Sequence, residues 1–181
     1  MRMTTSDEAL AQAAASGDRD AFAALLARHY DRLFGLACRL LGNRAEAEDL
    51  TQDICVALPA KLQGYRAEAK FTTWLYRVAM NAAHDRRRRM ASRGRAADGW
   101  GDWEVNRRHA NAEEADRTDW LTRAMAQLKP DLRDTATLIL AEDLTQSEAA
   151  EILGVPAGTI AWRMSEVKKA LRARAAEEMT P

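Results

Sequence analysis

Aromatic and cationic side chains alternate over one short stretch, with Tyr65, Phe71, Trp74 and Tyr76 set among Arg66, Lys70 and Arg77. Aromatic faces stack on unpaired bases while cations follow the phosphates, so this mixture suits a groove for single-stranded nucleic acid. Arg86, Arg87, Arg88 and Arg89 come next, with Arg93 and Arg95 beyond them. Such a run can neutralise several phosphates, with the salt sensitivity that such contacts carry. Each feature also has a plainer use: Trp74 is of a type that packs in cores more often than it forms a platform, and the arginines suit a solvated helix end.

The opposite charge gathers just upstream. Glu48, Asp49, Gln52 and Asp53 span little more than one helical turn, so three carboxylates and an amide form one compact surface. It would face away from DNA and suits a protein partner, although acidic helix faces are commonly just solvated.

A third group lies near the C-terminus. Thr145 and Glu148 have the spacing of a capping box, which fixes a helix start. Ala149, Ile152 and Leu153 give that helix an apolar face, Gly154 supplies a tight turn, and Pro156 pre-sets the next helix at about Ala157 or Gly158. This is helix-turn-helix chemistry. Ile160, Met164, Val167 and Leu171 would face inward from the second helix, leaving Thr159, Trp162, Arg163, Glu166 and Lys168 to a major groove. Lys169, Arg172 and Arg174 are placed for phosphates. A capped helical hairpin in a bundle with a basic solvated face has the same pattern.

Bond-making chemistry finds little support. His29, His84 and His109 are scattered, and the sequence contains no Gly-rich phosphate loop. Cys38 and Cys55 lack the close spacing of a zinc site or a disulfide framework and read as reduced core thiols of raised pKa. The expectation is no enzyme, no catalytic residue, no metal and no cofactor.

The elements that must position these groups are helices. From Phe22, Leu25, Leu26, Tyr30, Leu33, Ala37, Leu40 and Leu41 recur with three-and-four spacing, and Gly42 and Asn43 end the helix. Asn43 can cap a second helix that buries Ala47, Leu50, Ile54, Leu58 and Leu62, which Pro59 should kink or shorten. After polar Gln63–Lys70, a third helix starts near Thr72 and turns Phe71, Trp74, Leu75, Val78 and Ala82 to a core. Periodicity then fades between Ala91 and Arg117, where glycines and charges mark a flexible connector. Further helices are expected near Thr118–Leu128, Asp131–Ala141, Thr145–Leu153 and Ala157–Ala175. The fold class is therefore all-α, with a tail over 1–17, a helical domain over 18–92, a linker over 93–117 and a helix-turn-helix domain over 118–178.

With 181 residues, 47% of them hydrophobic, two small cores are feasible. Lys plus Arg and Asp plus Glu number 27 each, so only the local distribution of charge bears on partners. No apolar run approaches the ~18 residues of a membrane span, and Met1–Asp7 has no secretion pattern. A cytoplasmic protein without membrane insertion is expected.

Three separated motifs add a family resemblance. Ala47-Glu48-Asp49-Leu50-Thr51-Gln52-Asp53, then Phe71-Thr72-Thr73-Trp74-Leu75-Tyr76-Arg77-Val78-Ala79-Met80-Asn81, then Gly158-Thr159-Ile160 after a helix-turn-helix, resemble the extracytoplasmic-function (ECF) sigma factors of the sigma-70 family. The resemblance runs from about Asp18 to Arg174. It implies that 18–92 is the region 2 domain, which binds the core RNA polymerase clamp and opens the minus-ten element, and that 118–178 is the region 4 reader of the minus-thirty-five element. By motif position, Glu48, Asp49, Gln52 and Asp53 are implied to contact polymerase. Tyr65, the loop through Lys70, and Asn81 are implied to capture a flipped base. With them, Arg66, Phe71, Trp74, Arg77, Arg86, Arg87 and Arg88 make up the minus-ten set, and Thr159, Trp162, Arg163, Glu166, Lys168 and Arg172 the minus-thirty-five set.

The resemblance further implies promoter DNA and core polymerase as partners, a monomer when free of them, and control by an anti-sigma factor. Three departures stand out. Pro59 occupies a position where the family often has a large apolar residue. Ala161-Trp162-Arg163-Met164-Ser165-Glu166 differs from the basic recognition helix common in the family, so an altered sequence preference is expected. Only Ala175–Pro181 lie beyond the stretch of resemblance, so any regulatory domain is expected on another chain. The competing reading is a polymerase-independent helix-turn-helix regulator, which would normally dimerise on two half-sites.

Overall fold

Four helices begin at a residue whose side chain caps them: Ser6, Asp18, Asn43 and Thr145. The computed structural model describes residues 5–96, 120–121 and 123–178. By its contacts the chain divides into two compact units, Met1–Asp102 and Trp103–Pro181. Every described element is helical.

The first unit contains α1 (Asp7–Ala15), α2 (Arg19–Leu41), α3 (Arg44–Leu62) and α4 (Phe71–Ala96). Asp18 starts α2 by accepting hydrogen bonds from the Asp20 and Ala21 N–H groups, both at 3.0 Å. Gly42 ends it at φ +70°, where its N–H donates to the Cys38 carbonyl. Asn43 at once caps α3 by accepting from the Glu46 N–H at 3.0 Å, so the turn between the two helices needs only this pair.

Periodicity gives the buried faces well. Ala47, Leu50, Ile54, Leu58 and Leu62 of α3 are all buried, as are Leu25, Leu33, Ala37, Leu40 and Leu41 of α2. Tyr30, counted on that face, is exposed, and Leu36 takes a core place instead. Burying a leucine contributes about 1.5–3 kcal/mol, so these stripes carry most of the helix pairing.

Three details differ from what the sequence alone suggests. Residues 7–15 of the supposed tail form α1, with Ser6 accepting from the Ala9 N–H and with Leu10, Ala11 and Ala14 buried beside Leu58, Leu62, Phe71 and Leu75. Pro59 does not shorten α3, which runs on to Leu62. The proline ring sits on the exposed face, and the buried Leu58 and Leu62 hold the helix on either side of the hydrogen bond it removes. Finally, α4 continues to Ala96, four residues past the expected boundary at 92. The rest of the expected linker lies outside the described residues.

In the second unit, helical residues 120–121 and 123–126 precede α5 (Pro130–Ala136), which passes into a π-helical turn over Thr137–Ala141. Then come α6 (Gln146–Leu153) and α7 (Ala157–Glu178). Buried Arg133 donates to the Met125 and Leu128 carbonyls at 3.2 Å each, and also to that of Ala126. It thereby satisfies carbonyls left open at the end of the preceding helix. The capping box forms as spaced, with the Thr145 N–H donating to Glu148 and the Thr145 hydroxyl accepting from the Glu148 N–H. Gly154 takes φ +65°, a conformation a β-carbon would strain. Ile160, Met164 and Val167 are buried, and Leu171 packs against their core.

Candidate polymerase and nucleic-acid interfaces

The exposed face of α3 carries the acidic group. Asp49 and Asp53 keep 65% and 69% of their side-chain surface exposed, and Glu48 and Gln52 are exposed beside them. Glu48 accepts from Arg44 one turn earlier at 2.9 Å, a surface pair of small energetic weight. Val56 continues the face and is 82% exposed. The surface is thus acidic with an apolar end.

Arg86 of α4, expected at DNA, reaches across to this helix. Its guanidinium pairs with Glu46, with Asp49 at 2.8 Å and with Asp53 at 3.2 Å. Burial works against its charge, but the hydrogen bonds and charges of Glu46 and Asp49 outweigh that and hold its pKa above the ordinary arginine value. Arg86 is a staple between α3 and α4. Its neighbour Arg88 is exposed and paired with Asp85, and Arg87 is half-buried.

The aromatic group splits between core and edge. Phe71 and Tyr76 are fully buried; Phe71 is therefore a packing residue rather than a DNA contact, and Arg32 stacks over the Tyr76 ring. Tyr65 and Trp74 are half-buried at the rim of the same cluster, with ring centroids 5.3 Å apart. Tyr65 also meets Phe71 edge-on at 5.8 Å and donates its hydroxyl to the Ala69 carbonyl at 2.9 Å. Burial, with the nearby charges of Glu8 and Asp7, raises the Tyr65 pKa and keeps its phenol protonated. Around this rim Arg66, Lys70, Arg77 and Asn81 are exposed. A half-covered aromatic ledge with cations and an amide beside it can stack on a base and read its edge.

On α7, Trp162 is 59% exposed, Thr159 and Glu166 are half-exposed, and Lys168, Lys169 and Arg172 are exposed. Arg163 is the exception. Its side chain is mostly covered, and its Nε lies 3.6 Å from an Asp131 carboxylate oxygen of α5. Asp131 therefore draws the guanidinium toward α5, and base reading by Arg163 would require it to leave that carboxylate. Arg174 likewise bonds to Gln127.

Sequence reasoning missed Asp7, Glu8 and Glu46. Ser6-Asp7-Glu8 ahead of Leu10, Ala11 and Ala14 is a helix-start signal that would have found the first two. Glu46 is visible as a partner only once α4 lies beside α3.

Cys38 and Cys55 are half-buried free thiols, raised in pKa by that burial. Among the described residues, no group of three or more His, Cys, Asp or Glu is disposed to hold a metal ion, and no helix is long and apolar enough to cross a membrane.

Fold and surfaces together define a helical protein with one unit suited to unpaired bases and a protein partner, and another built as a helix-turn-helix. Two family models match the chain: Sigma-70 region 2 over residues 25–93 and Sigma-70, region 4 over 118–171. The RNA polymerase sigma factor CarQ of Myxococcus xanthus is 31% identical over 160 residues, 86% of this chain and 90% of CarQ. The ECF RNA polymerase sigma factor SigW of Bacillus subtilis (strain 168) is 29% identical over 172 residues, 86% and 89% of the two chains. Among solved structures, the sigma factor RpoE in complex with the anti-sigma factor NepR from Bartonella quintana gives a TM-score of 0.75 at 26% identity, covering 84% of this chain and 94% of that one. The chain belongs to the ECF RNA polymerase sigma factors of the sigma-70 family.

Proposed function

We propose that this sigma factor joins core RNA polymerase through the acidic face of α3, melts the minus-ten element with its first unit and reads the minus-thirty-five element with α7. The observation that carries the reading is the juxtaposition in the first unit. Exposed Asp49, Gln52 and Asp53 offer a docking face to a basic helix, while Tyr65 and Trp74, in a stretch that also exposes Arg66, Lys70, Arg77 and Asn81, offer a ledge for a flipped base. Unstacking a base costs a few kcal/mol, which stacking at about 1–3 kcal/mol per base and phosphate contacts offset. No covalent bond changes, so the activity needs no catalytic residue and no cofactor.

Phosphate contacts fall to Arg87 and Arg88, further along α4 than the ledge, and to Lys168 and Arg172 on α7. The free chain is a cytoplasmic monomer whose two readers gain specificity when polymerase holds both. RpoE was solved bound to an anti-sigma factor, and by analogy a helical inhibitor masks the same surfaces in this chain.

The test is run-off transcription from fragmented genomic DNA with purified core polymerase, with and without the protein. Discrete transcripts that need both components, and that vanish in an Asp49→Lys, Asp53→Lys double variant, support the reading. Absence of transcripts with folded, inhibitor-free protein and a closely related core enzyme overturns it in favour of polymerase-independent DNA binding.

A further inference from the structure

The start of α4 has no adequate cap of its own. The Lys70 carbonyl accepts the Trp74 N–H, which places Lys70 at the N-cap, where serine, threonine, aspartate or asparagine would normally accept a backbone N–H. A lysine ammonium has no acceptor, and its charge opposes the positive end of the helix dipole. The missing acceptor arrives from α1 instead. A Glu8 carboxylate oxygen accepts the Phe71 N–H at 3.1 Å, across 63 residues of sequence. This bond is the main cause of the lowered Glu8 pKa.

A second clasp lies beside it. Asp7 binds Arg28 and the His29 ring, each at 2.8 Å, and Arg28 also donates to the Thr5 carbonyl at 2.7 Å. The His29 ring lies 5.2 Å from the Phe71 ring, and Phe71 in turn supports both Tyr65 and Trp74. The loop between α3 and α4 is itself held in an unusual shape, with Ala67 at φ +55°, a left-handed conformation that strains a non-glycine residue. Leu10, Ala11 and Ala14 already supply the packing of α1. The acidic start of the helix is therefore spent on α2, through Asp7, and on α4, through Glu8, and it lies outside the residues 25–93 matched as region 2.

We propose that α1 positions the promoter-melting ledge, with Glu8 as the residue that fixes the start of α4 and the Tyr65–Lys70 loop in the form that receives an unpaired base. The inference rests on the base-capturing role proposed above for Tyr65. Glu8 acts through Phe71 and Tyr65 and is a positioning residue.

The test uses the full chain with core polymerase and single-stranded oligonucleotides spanning the minus-ten element of a mapped promoter, with each of the four bases at the captured position. The readout is the ratio of affinities for the best and worst base, measured where circular dichroism shows every variant folded. Loss of a helix cap corresponds to about a fivefold change, so Glu8→Ala should reduce discrimination about fivefold. Glu8→Gln keeps an oxygen to accept the Phe71 N–H and should recover most of that loss. Asp7→Asn, which weakens the second clasp without opening a cavity, should show a smaller loss and serves if Glu8→Ala does not fold. Full discrimination in Glu8→Ala or Asp7→Asn, with loss in Tyr65→Ala, overturns the inference and leaves the base-capturing reading intact. Full discrimination in Tyr65→Ala as well overturns both.

Discussion

Replacing Arg86 with alanine tests whether the first arginine of the run serves the fold or the DNA. The Arg86 side chain is 19% exposed and that of Glu46 30%, so this pair is the best shielded of the three and is worth about 1 kcal/mol. The pairs with Asp49 and Asp53 involve carboxylates that are mostly in water and add a few tenths of a kcal/mol each. Removing the cation also leaves Glu46, Asp49 and Asp53 facing one another at helical spacing, at a cost of about 0.2–0.5 kcal/mol per adjacent pair. The sum is about 2 kcal/mol, which for a unit of this size corresponds to a fall of about 10 °C in the midpoint of its thermal transition.

Circular dichroism melts of the full chain measure that shift. The gap between wild type and Arg86→Ala should narrow at 1 M salt, where the screening length is only about 3 Å. A second assay separates the two roles. Each phosphate ligand removed lowers the salt slope of DNA binding by about one, so Arg88→Ala should flatten the slope while Arg86→Ala leaves it unchanged. An Arg86→Ala variant with an unaltered melting midpoint and a flattened slope refutes the staple and restores the arginine to the DNA.

Asp53→Lys should weaken binding to core polymerase at least tenfold by fluorescence anisotropy, because a lysine reverses an exposed charge while Glu46 and Asp49 still hold Arg86. The α1 clasp should fail in acid. Burial raises the Asp7 pKa, but hydrogen bonds and charges from Arg28 and His29 more than offset it, and the Phe71 N–H lowers that of Glu8. Depressed carboxylate pKa values contribute stability that is present above the unfolded-state values and is lost as pH falls through the folded ones. Melting midpoints should therefore drop more steeply on acidification in wild type than in an Asp7→Asn, Glu8→Gln double variant; parallel curves would rule this out. Cys38 and Cys55, raised in pKa by burial, should react with iodoacetamide at pH 8 more slowly than in urea, and equal rates would contradict the burial argument. Glu166→Arg should shift the preferred minus-thirty-five base from cytosine toward guanine in a randomised promoter selection, and an unchanged profile would remove Glu166 from the reading face.

Sequence periodicity located α2, α3 and α7 because each buries large aliphatic residues at helical spacing. It passed over α1 because Leu10 is the only large apolar residue in that helix, the others being alanines with modest burial energy. What holds α1 is tertiary: Asp7 on α2 and Glu8 on α4. Three residues of the expected DNA-binding set show the same dependence on tertiary neighbours. Arg86, Arg163 and Phe71 have the right residue types for binding DNA, and each is taken up by a partner far away in sequence: Glu46, Asp131 and His29, respectively. Residue type predicts what a side chain can do. Only the neighbours decide whether it is already doing something else.

That distinction bears on why the chain should depend on polymerase. The exposed or half-exposed residues along the front of α7, Ala161, Trp162, Ser165 and Glu166, carry one negative charge and no positive one. With Arg163 drawn onto Asp131, the cations that face solvent on α7, Lys168, Lys169 and Arg172, lie further along the helix. Non-specific attachment to DNA comes almost entirely from neutralised phosphates, and Glu166 repels them. If α7 is the reader proposed above, it should hold DNA weakly when alone, whatever its choice of base. In the first unit Arg86 is likewise withdrawn from the arginine run and turned toward α3. Useful affinity then depends on a partner that presents both readers to one promoter, where two weak attachments act as one.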